Sequence, residues 1–523
     1  MRRKWYLGFA VFLVLLFHFI IFSHDWRLFI LAATIIISMG LYDFFQTRHS
    51  ITRNFPILGR IRFLFEFIRP EIRQYFIASD KDEKPFSREL RSIVYQRAKN
   101  MNDTRPFGTL EDTEAVGYSF LKHSIHPIHP ESVDPRILIG GKQCKHPYSS
   151  SHLNVSAMSF GAISPRAIES LNLAAKIGSF AHNTGEGGIS QYHLMGGDLI
   201  FQVGTGYFGC RDDQGNFSPE EFKKEAGRPE VKMIELKLSQ GAKPAHGGIL
   251  PAAKLTPEIA KVRKVSMGKD VLSPIAHKAF STPTGLLEFL QNLRDLSDGK
   301  PVGFKLCIGK RHEFLGICKA MLATGILPDF ITVDGGEGGT GAAPFEYSSY
   351  LGEPLQESLL FVHNALVGIG VRDEIKIIAS GKIITGFDMI YHIALGADLF
   401  NSARGMMFAL GCLQSRQCNE NTCPTGIATQ NKRLQRGLVV EDKKIRVKNF
   451  HENTTKSFLE IIGAMGLKSS SEITPEVVMK RVSLNHIAPL QEIYEFVEPG
   501  VLLTEHLPAY FKRDWEKADP HAF

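Results

Sequence analysis

Cysteine is scarce, seven in 523 residues, and it is not spread as the even set that an extracellular disulfide framework would show. Basic residues exceed acidic ones by 61 to 54, a formal net charge of +7, yet no long Lys/Arg tract gathers the excess. A nucleic-acid partner therefore has no support in the sequence. A cleaved leader is not expected either: MRRK and an apolar run have that form, but a second apolar run follows at once with no clear A-x-A site between them. A nicotinamide-binding domain is also missing. Gly204–Gly209, GTGYFG, fits G-x-G-x-x-G, but CRDDQGNF follows where a helix must begin.

What is present is an ordinary globular composition, 44% hydrophobic and 22% charged, at a length that buries a full core without disulfides. The amino terminus departs from it. Apolar runs from Trp5 to Phe22 and from Leu28 to Phe45 flank SHDWR, and each is about 18 residues, roughly 27 Å as a helix. They predict a transmembrane helical hairpin over residues 1–45. Arg2, Arg3 and Lys4 precede it, and Arg48, Arg53, Arg60, Arg62, Arg69 and Arg73 follow. The positive-inside rule then places a multi-pass protein in the inner or plasma membrane with its catalytic domain in the cytoplasm.

Residues 46–150 read as a collar, with an amphipathic helical stretch near Ile57 to Phe76. Beyond it, eight short apolar runs alternate with helical segments: NVSAM at 154, SFAHN at 179, LIFQV at 199, VKMIELK at 231, VGFKLCI at 302, DFITVD at 329, IKIIAS at 375 and DLFNSA at 398. That alternation predicts an α/β fold, a (β/α)8 TIM barrel over residues 151–430 with its chemistry on loops at the carboxyl ends of the strands. Leu238 to Ser273 is a long Gly/Pro-rich loop of the kind that usually serves function. Residues 431–523 form a helical extension, with a helix ending at Gly466, and a tail.

Three of the seven cysteines, Cys412, Cys418 and Cys423, fall in GCLQSRQCNENTCPTGIATQ at 411. Thiolates there suit an iron-sulfur cluster, zinc or copper(I); three unrelated buried thiols is the competing reading. Gly381, Lys382 and Arg404 sit after the seventh and eighth runs, where barrels commonly bind phosphate. Glu186 lies among glycines in NTGEGG and is either a gating or proton-transferring carboxylate or a solvated one. Lys237 and Lys305 end or interrupt apolar strands, where an ammonium needs an anion. Flavin, a keto-acid carboxylate, or an Asp or Glu of the barrel itself would each serve.

Taken together, SAMSFGAIS at 156, NTGEGG at 183, KLSQGAKP at 237, DGGEGGTGAAP at 334, ASGKIITG at 379 and the cysteine segment resemble the flavin domain of glutamate synthases. The resemblance is closer to the stand-alone, membrane-tethered branch described as FMN-binding glutamate synthase family proteins, and it covers roughly residues 50 to 470. It implies a [3Fe-4S] cluster on Cys412, Cys418 and Cys423. It implies FMN with its phosphate near Gly381, Lys382, Ala403 and Arg404, and its ring against Ala157, Met158 and Ser159 with Lys305 nearby. Glu186, Lys237, Gln240 and Lys243 would face a 2-oxoglutarate pocket, with Glu186, Lys237 and Gln240 catalytic and Glu186 the candidate proton donor.

The implied reaction is reductive: electrons from a separate donor load FMN through the cluster, and the imine of 2-oxoglutarate, or a related keto-acid, and ammonia becomes an amino acid. Departures from the resemblance bear on the substrate. The chain opens MRRK, without the amino-terminal Cys of a glutaminase domain, so hydrolysis of glutamine is not expected of it. His246 stands where the large enzymes usually have Glu, and CNENTCP replaces CHTNTCP. Two other readings stay open: an amino-acid or N-alkyl amino-acid dehydrogenase passing electrons to a membrane acceptor such as quinone, and a non-catalytic membrane-bound assembly component.

Overall fold

A computed structural model describes residues 26–130 and 135–523. They fall into two compact units, one ending at Leu90 and one running from Arg91 to Phe523. In the first unit, helix α1 (Trp26–Phe45) and helix α2 (Leu58–Ile72) are joined through a short helix, Ser50–Asn54. The carboxylate of Asp43, 2% exposed, accepts from Arg60 Nε at 2.8 Å, Arg60 Nη2 at 2.7 Å and the backbone N–H of Ile57 at 3.1 Å. That fork fixes the turn between α1 and α2. The amphipathic stretch expected near Ile57 to Phe76 is this second helix, continued by a π turn over Arg73–Ile77.

The expected membrane hairpin is corrected here. Among the described residues no helix is long and apolar enough to cross a membrane, so the multi-pass anchor fails in its second limb, and the inner- or plasma-membrane location inferred from it falls with it. The first limb, Trp5 to Phe22, lies outside the described residues. The physical reason is charge at both ends of α1. Arg27 and Asp43 bracket an apolar stretch of about 15 residues, about 22 Å as a helix, against a hydrocarbon core of about 30 Å.

The second unit is built on a closed barrel of eight parallel strands, and each strand falls on one of the eight apolar runs, the first beginning one residue before its run. They are β1 (Leu153–Val155), β2 (His182–Asn183), β3 (Leu199–Val203), β4 (Val231–Lys237), β5 (Val302–Leu306), β6 (Phe330–Asp334), β7 (Lys376–Ser380) and β8 (Leu399–Ser402), with β8 pairing to β1 to close the ring. Four crossover helices open alike, with a hydroxyl at the N-cap and proline at the first helical position: Ser164-Pro165, Ser218-Pro219, Thr256-Pro257 and Thr282-Pro283. Each hydroxyl accepts from a backbone N–H that the helix leaves unpaired.

The barrel interior is layered. Ala181, Ile200, Met233, Phe330, Ile378 and Leu399 form an apolar plug at the amino-terminal end, closed by Ile139 and Tyr148 from an antiparallel hairpin. Above it lies a polar layer. Glu235, fully buried, accepts from Asn183 Nδ2 at 2.8 Å, Gln202 Nε2 at 2.6 Å and Thr332 Oγ1 at 2.6 Å, so its charge is hydrogen-bonded rather than stranded. The expected carboxyl-terminal helix is Val440–Ala464, with Gly466 at φ 77° ending the turn after it. A three-stranded sheet joins Ser119–Leu121 to Val478–Ser483 and His486–Pro489, which nothing in the sequence announces.

Candidate functional site

The carboxyl ends of the strands surround one cavity. Its walls come from Ser156–Ser159 after β1, Glu186 after β2, Lys305 in β5, Asp334 ending β6, Ser380 ending β7 with Gly381 after it, and Asn401, Ala403 and Arg404 at β8. The long loop after β4 contributes Gln240, Gly241, Lys243, Gly248–Leu250 and Arg263, and the cysteine segment contributes Cys418 and Ala428. Close backbone approach makes this convergence possible. A Cβ on Gly185, which sits at φ +66°, would lie 2.6 Å from Ser159 N, and one on Gly248 would collide with Glu186 Oε1.

Both lysines that need an anion find one within the protein. Lys237 Nζ lies 2.7 Å from Glu186 Oε2, and Lys305 Nζ lies 3.2 Å from Asp334 Oδ2. Burial opposes ionisation of Glu186, but Lys237, helped by Arg263 and Lys243, outweighs it and holds the carboxyl below its ordinary value. Burial likewise opposes the charge on Lys305, and Asp334 with Glu235 overcomes it and raises the ammonium above the usual range. Gln240 Oε1 accepts from Lys237 at 3.3 Å, and Ser273 Oγ donates to Glu186 at 3.4 Å.

Lys237 faces a second, smaller cavity lined also by Thr205, Leu238, His246 and Ile275, and Gln240, Lys243 and Gly248 border both cavities. The Glu186–Lys237 pair therefore stands in the wall between them. His246 meets the Tyr347 ring edge to face at 5.0 Å.

Three cavity cations make no ion pair among the described residues: Lys243, Arg263 and Arg404. Lys243 Nζ donates to the Ala342 carbonyl at 3.1 Å and Arg404 Nη2 to the Thr340 carbonyl at 3.3 Å. Arg263 donates to the Phe160 carbonyl at 2.8 Å, and its Nε is buried without a partner. Burial pulls Arg263 down to about 10 and lowers Lys243 as well. Asn401 Oδ1 is a second buried atom without a partner on this wall. The cavity thus offers an anion positive charge and one unmet donor, Arg263 Nε, while Asn401 Oδ1 is an unmet acceptor.

Of the residues singled out from sequence, Ala157, Met158, Ser159, Glu186, Gln240, Lys243, Lys305, Gly381, Ala403, Arg404 and Cys418 line the cavity, and Lys237 lines its neighbour. Lys382 does not line it; its side chain is exposed and its backbone is left-handed at φ 53°. Sequence reasoning missed Arg263, whose only local signature is the last turn of a seven-residue helix, Pro257–Arg263. It also missed Asp334 as the partner of Lys305, although DGGEGG was noticed.

Cys412 and Cys423 are buried and Cys418 is partly so, all three as free thiols. Burial raises Cys412, and the neighbouring Cys418 and Cys423 add to the effect. Burial raises Cys423 too, but the Thr425 hydroxyl and the backbone N–H groups of Ala428, Thr425 and Ile427 outweigh it, leaving the thiol below its ordinary value. Among the described residues no three His, Cys, Asp or Glu side chains gather closely enough to hold a single metal ion.

A parallel barrel with a cationic mouth and a thiol-bearing segment in its wall defines a TIM-barrel protein with a site suited to an anion. The family model for the conserved region in glutamate synthase matches residues 94–468, and the chain belongs to that family of oxidoreductases. It is 36% identical over 516 residues to the glutamate synthase large subunit-like protein YerD of Bacillus subtilis (strain 168), covering 90% of this chain and 97% of that one. It is 35% identical over 317 residues to the archaeal-type glutamate synthase [NADPH] of Thermotoga neapolitana, 60% of this chain and 59% of that one. The large chain of Azospirillum brasilense glutamate synthase [NADPH] is 30% identical over 325 residues and is spanned to only 20% of its length. Among solved structures, mandelate oxidase with (S)-2-phenylpropionate matches at a TM-score of 0.42 with 15% identity, over 73% of this chain and 95% of that one.

Proposed function

We propose that this chain binds FMN and a [3Fe-4S] cluster and reduces the imine formed from 2-oxoglutarate, or a related keto-acid, and ammonia to the amino acid. The observation that carries the reading is that Lys243, Arg263 and Arg404, cations without an ion pair among the described residues, share one cavity wall with Cys418.

Gly381, Ala403 and Arg404 would hold the FMN phosphate. Ala157, Met158, Ser159 and Lys305 would meet the ring, with the partnerless Asn401 Oδ1 as a further polar contact. Lys382, exposed, has no part in this arrangement. When bound, the flavin supplies hydride chemistry fed by one-electron carriers. Lys305, kept charged by Asp334, presents a fixed positive charge to whatever negative charge lies beside it.

Cys412, Cys418 and Cys423 would each hold one iron. The donor chemistry fits, since thiolates are the usual ligands of such clusters.

Arg263 and Lys243 bind and orient the keto-acid carboxylates, and Gln240 anchors the head of Lys237. Glu186 is held ionised, so the proton available at the Glu186–Lys237 pair resides on Lys237 Nζ, 2.7 Å from the carboxylate. Lys237 is then the proton source for the nitrogen, and Glu186 holds its Nζ in place.

Anaerobically purified protein, reduced with dithionite and given 2-oxoglutarate and ammonia, forms glutamate on this reading. Flavin bleaching by glutamate or N-methylglutamate, with no glutamate formed in the reductive direction, would replace it with the dehydrogenase reading.

A further inference from the structure

Lys254 ends a short 3-10 turn, Ala252–Lys254, in the long loop after β4, and the keto-acid and flavin contacts described above make no use of it. Its side chain is 3% exposed. Nζ donates to three carbonyls: Ala162 at 2.6 Å, Cys418 at 3.1 Å and Ala428 at 3.1 Å. These belong to the turn after β1, to the middle of the cysteine segment and to its end, and all three residues line the cavity. A neutral amine has two N–H donors and an ammonium has three, so three carbonyl acceptors favour the charged form.

A second tie runs beside the first. Asn421 Nδ2 donates to the Ala253 carbonyl at 3.0 Å, while Gln430 Nε2 donates to the carbonyls of Gly161 at 3.0 Å and Ile163 at 3.1 Å. The cysteine segment is thus sewn to the cavity wall at the turn after β1 and at the 252–254 turn. Of these ties, only that of Lys254 brings charge.

We infer that Lys254 is a positioning residue that fixes the cysteine segment against the flavin cavity and sets a positive charge beside the thiolate-held centre, raising its reduction potential. The inference rests on the reading of Cys412, Cys418 and Cys423 as cluster ligands. Adding an electron to a cluster makes it more negative, and a nearby buried cation stabilises that state more than the oxidised one. The effect is strong where water does not screen it.

The test compares the full chain with K254M, K254R and N421A, all purified anaerobically, for iron and acid-labile sulfide, flavin content, thermal unfolding and a redox titration followed by paramagnetic resonance. K254M is expected to keep its flavin, release iron to a chelator several-fold faster than wild type, and titrate at a more negative potential. K254R restores the potential towards wild type. N421A, which cuts a tie and leaves the charge, releases iron faster at an unchanged potential. If K254M does not fold, Lys254→Gln, which keeps a donor and loses the charge, carries the same expectation. Iron-loaded wild type beside a K254M of unchanged potential overturns this inference alone; wild type without iron removes the cluster reading and the inference together.

Discussion

Glu186 and Lys237 meet at 2.7 Å, both nearly buried, in the wall that divides the cavity at the barrel mouth from the smaller one behind it. The carboxylate comes from the loop after β2 and the ammonium from the end of β4, so the contact ties two loops together while holding a proton in place. Removing one member of such a pair leaves the other as a buried charge without compensation, which costs about 3–5 kcal/mol.

Glu186→Gln is therefore expected to destabilise the chain towards the lower end of that range, because Gln240 and the Gln carbonyl still accept from Lys237. The pH dependence follows from the direction of the Glu186 shift. Its folded value lies below its unfolded one, so its contribution is fully present above the unfolded carboxyl value near 4.5 and is lost as pH falls through the lowered folded value. Urea unfolding of wild type and variant from pH 7 down to pH 3 should show the stability gap closing only below about 4.5. A gap of constant size across that range would mean that the pair is not ionised as described.

Arg263 is the cavity cation that sequence reasoning missed, and its buried Nε lacks a partner. A carboxylate bound there makes a charge-assisted hydrogen bond worth about 1.5–3 kcal/mol. Arg263→Met should accordingly raise KM for the keto-acid by about tenfold to a hundredfold with kcat less affected. Lys is not expected to rescue it fully, since one ammonium does not reproduce a fork of donors. Steady-state kinetics against keto-acid concentration settle the point: unchanged KM places the substrate elsewhere.

The barrel was legible in the sequence because strands buried on both faces read as continuous apolar runs, and the register of β6 and β7, Ile331 beside Ile377 and Val333 beside Ala379, shows why. Glu186, Lys237 and Lys305 stood out as charges in apolar or glycine-rich surroundings. Arg263 and Lys254 did not, since Lys254 finds its acceptors 92 and 164 residues away, and no local spacing encodes such a contact. The reading of α1 as a membrane span failed for a related reason. A run of apolar residues gives no sign that Asp43 near its end pairs with Arg60, 17 residues on.

Gly248 supplies a purely steric test. Its backbone presses so closely on Glu186 Oε1 that an added methyl group must displace the carboxylate, whereas Gly309 has open space where its Cβ would go. Overpacking of this kind costs about 1–3 kcal/mol. Gly248→Ala should lower kcat/KM by about tenfold or more with the flavin retained, and Gly309→Ala should leave both close to wild type. Equal behaviour of the two variants would dissociate the Glu186 position from turnover.

In the first unit, the Asp43 carboxylate is 2% exposed while the Arg60 side chain is 41% exposed, so solvent screens one side of a well-formed fork. The Arg60 side-chain bonds come first among the causes that hold Asp43 below the usual carboxylate range, and they outweigh the opposing effect of burial. Replacing Asp43 by Asn keeps an acceptor for the Ile57 N–H but removes the charge, and after discounting for exposure the loss is about 1 kcal/mol. The expected outcome is earlier proteolytic cleavage between α1 and α2 in Asp43→Asn, with thermal unfolding of the barrel unit unchanged. Because folding fixes a carboxyl whose value is depressed below the ordinary aspartate value of 3.8, protection of the wild-type turn should hold above that pH and weaken as pH falls below it, while the Asn variant stays equally susceptible throughout. A wild-type turn cleaved at the same rate on both sides of that pH would show that the Asp43–Arg60 fork does not hold α1 and α2 together.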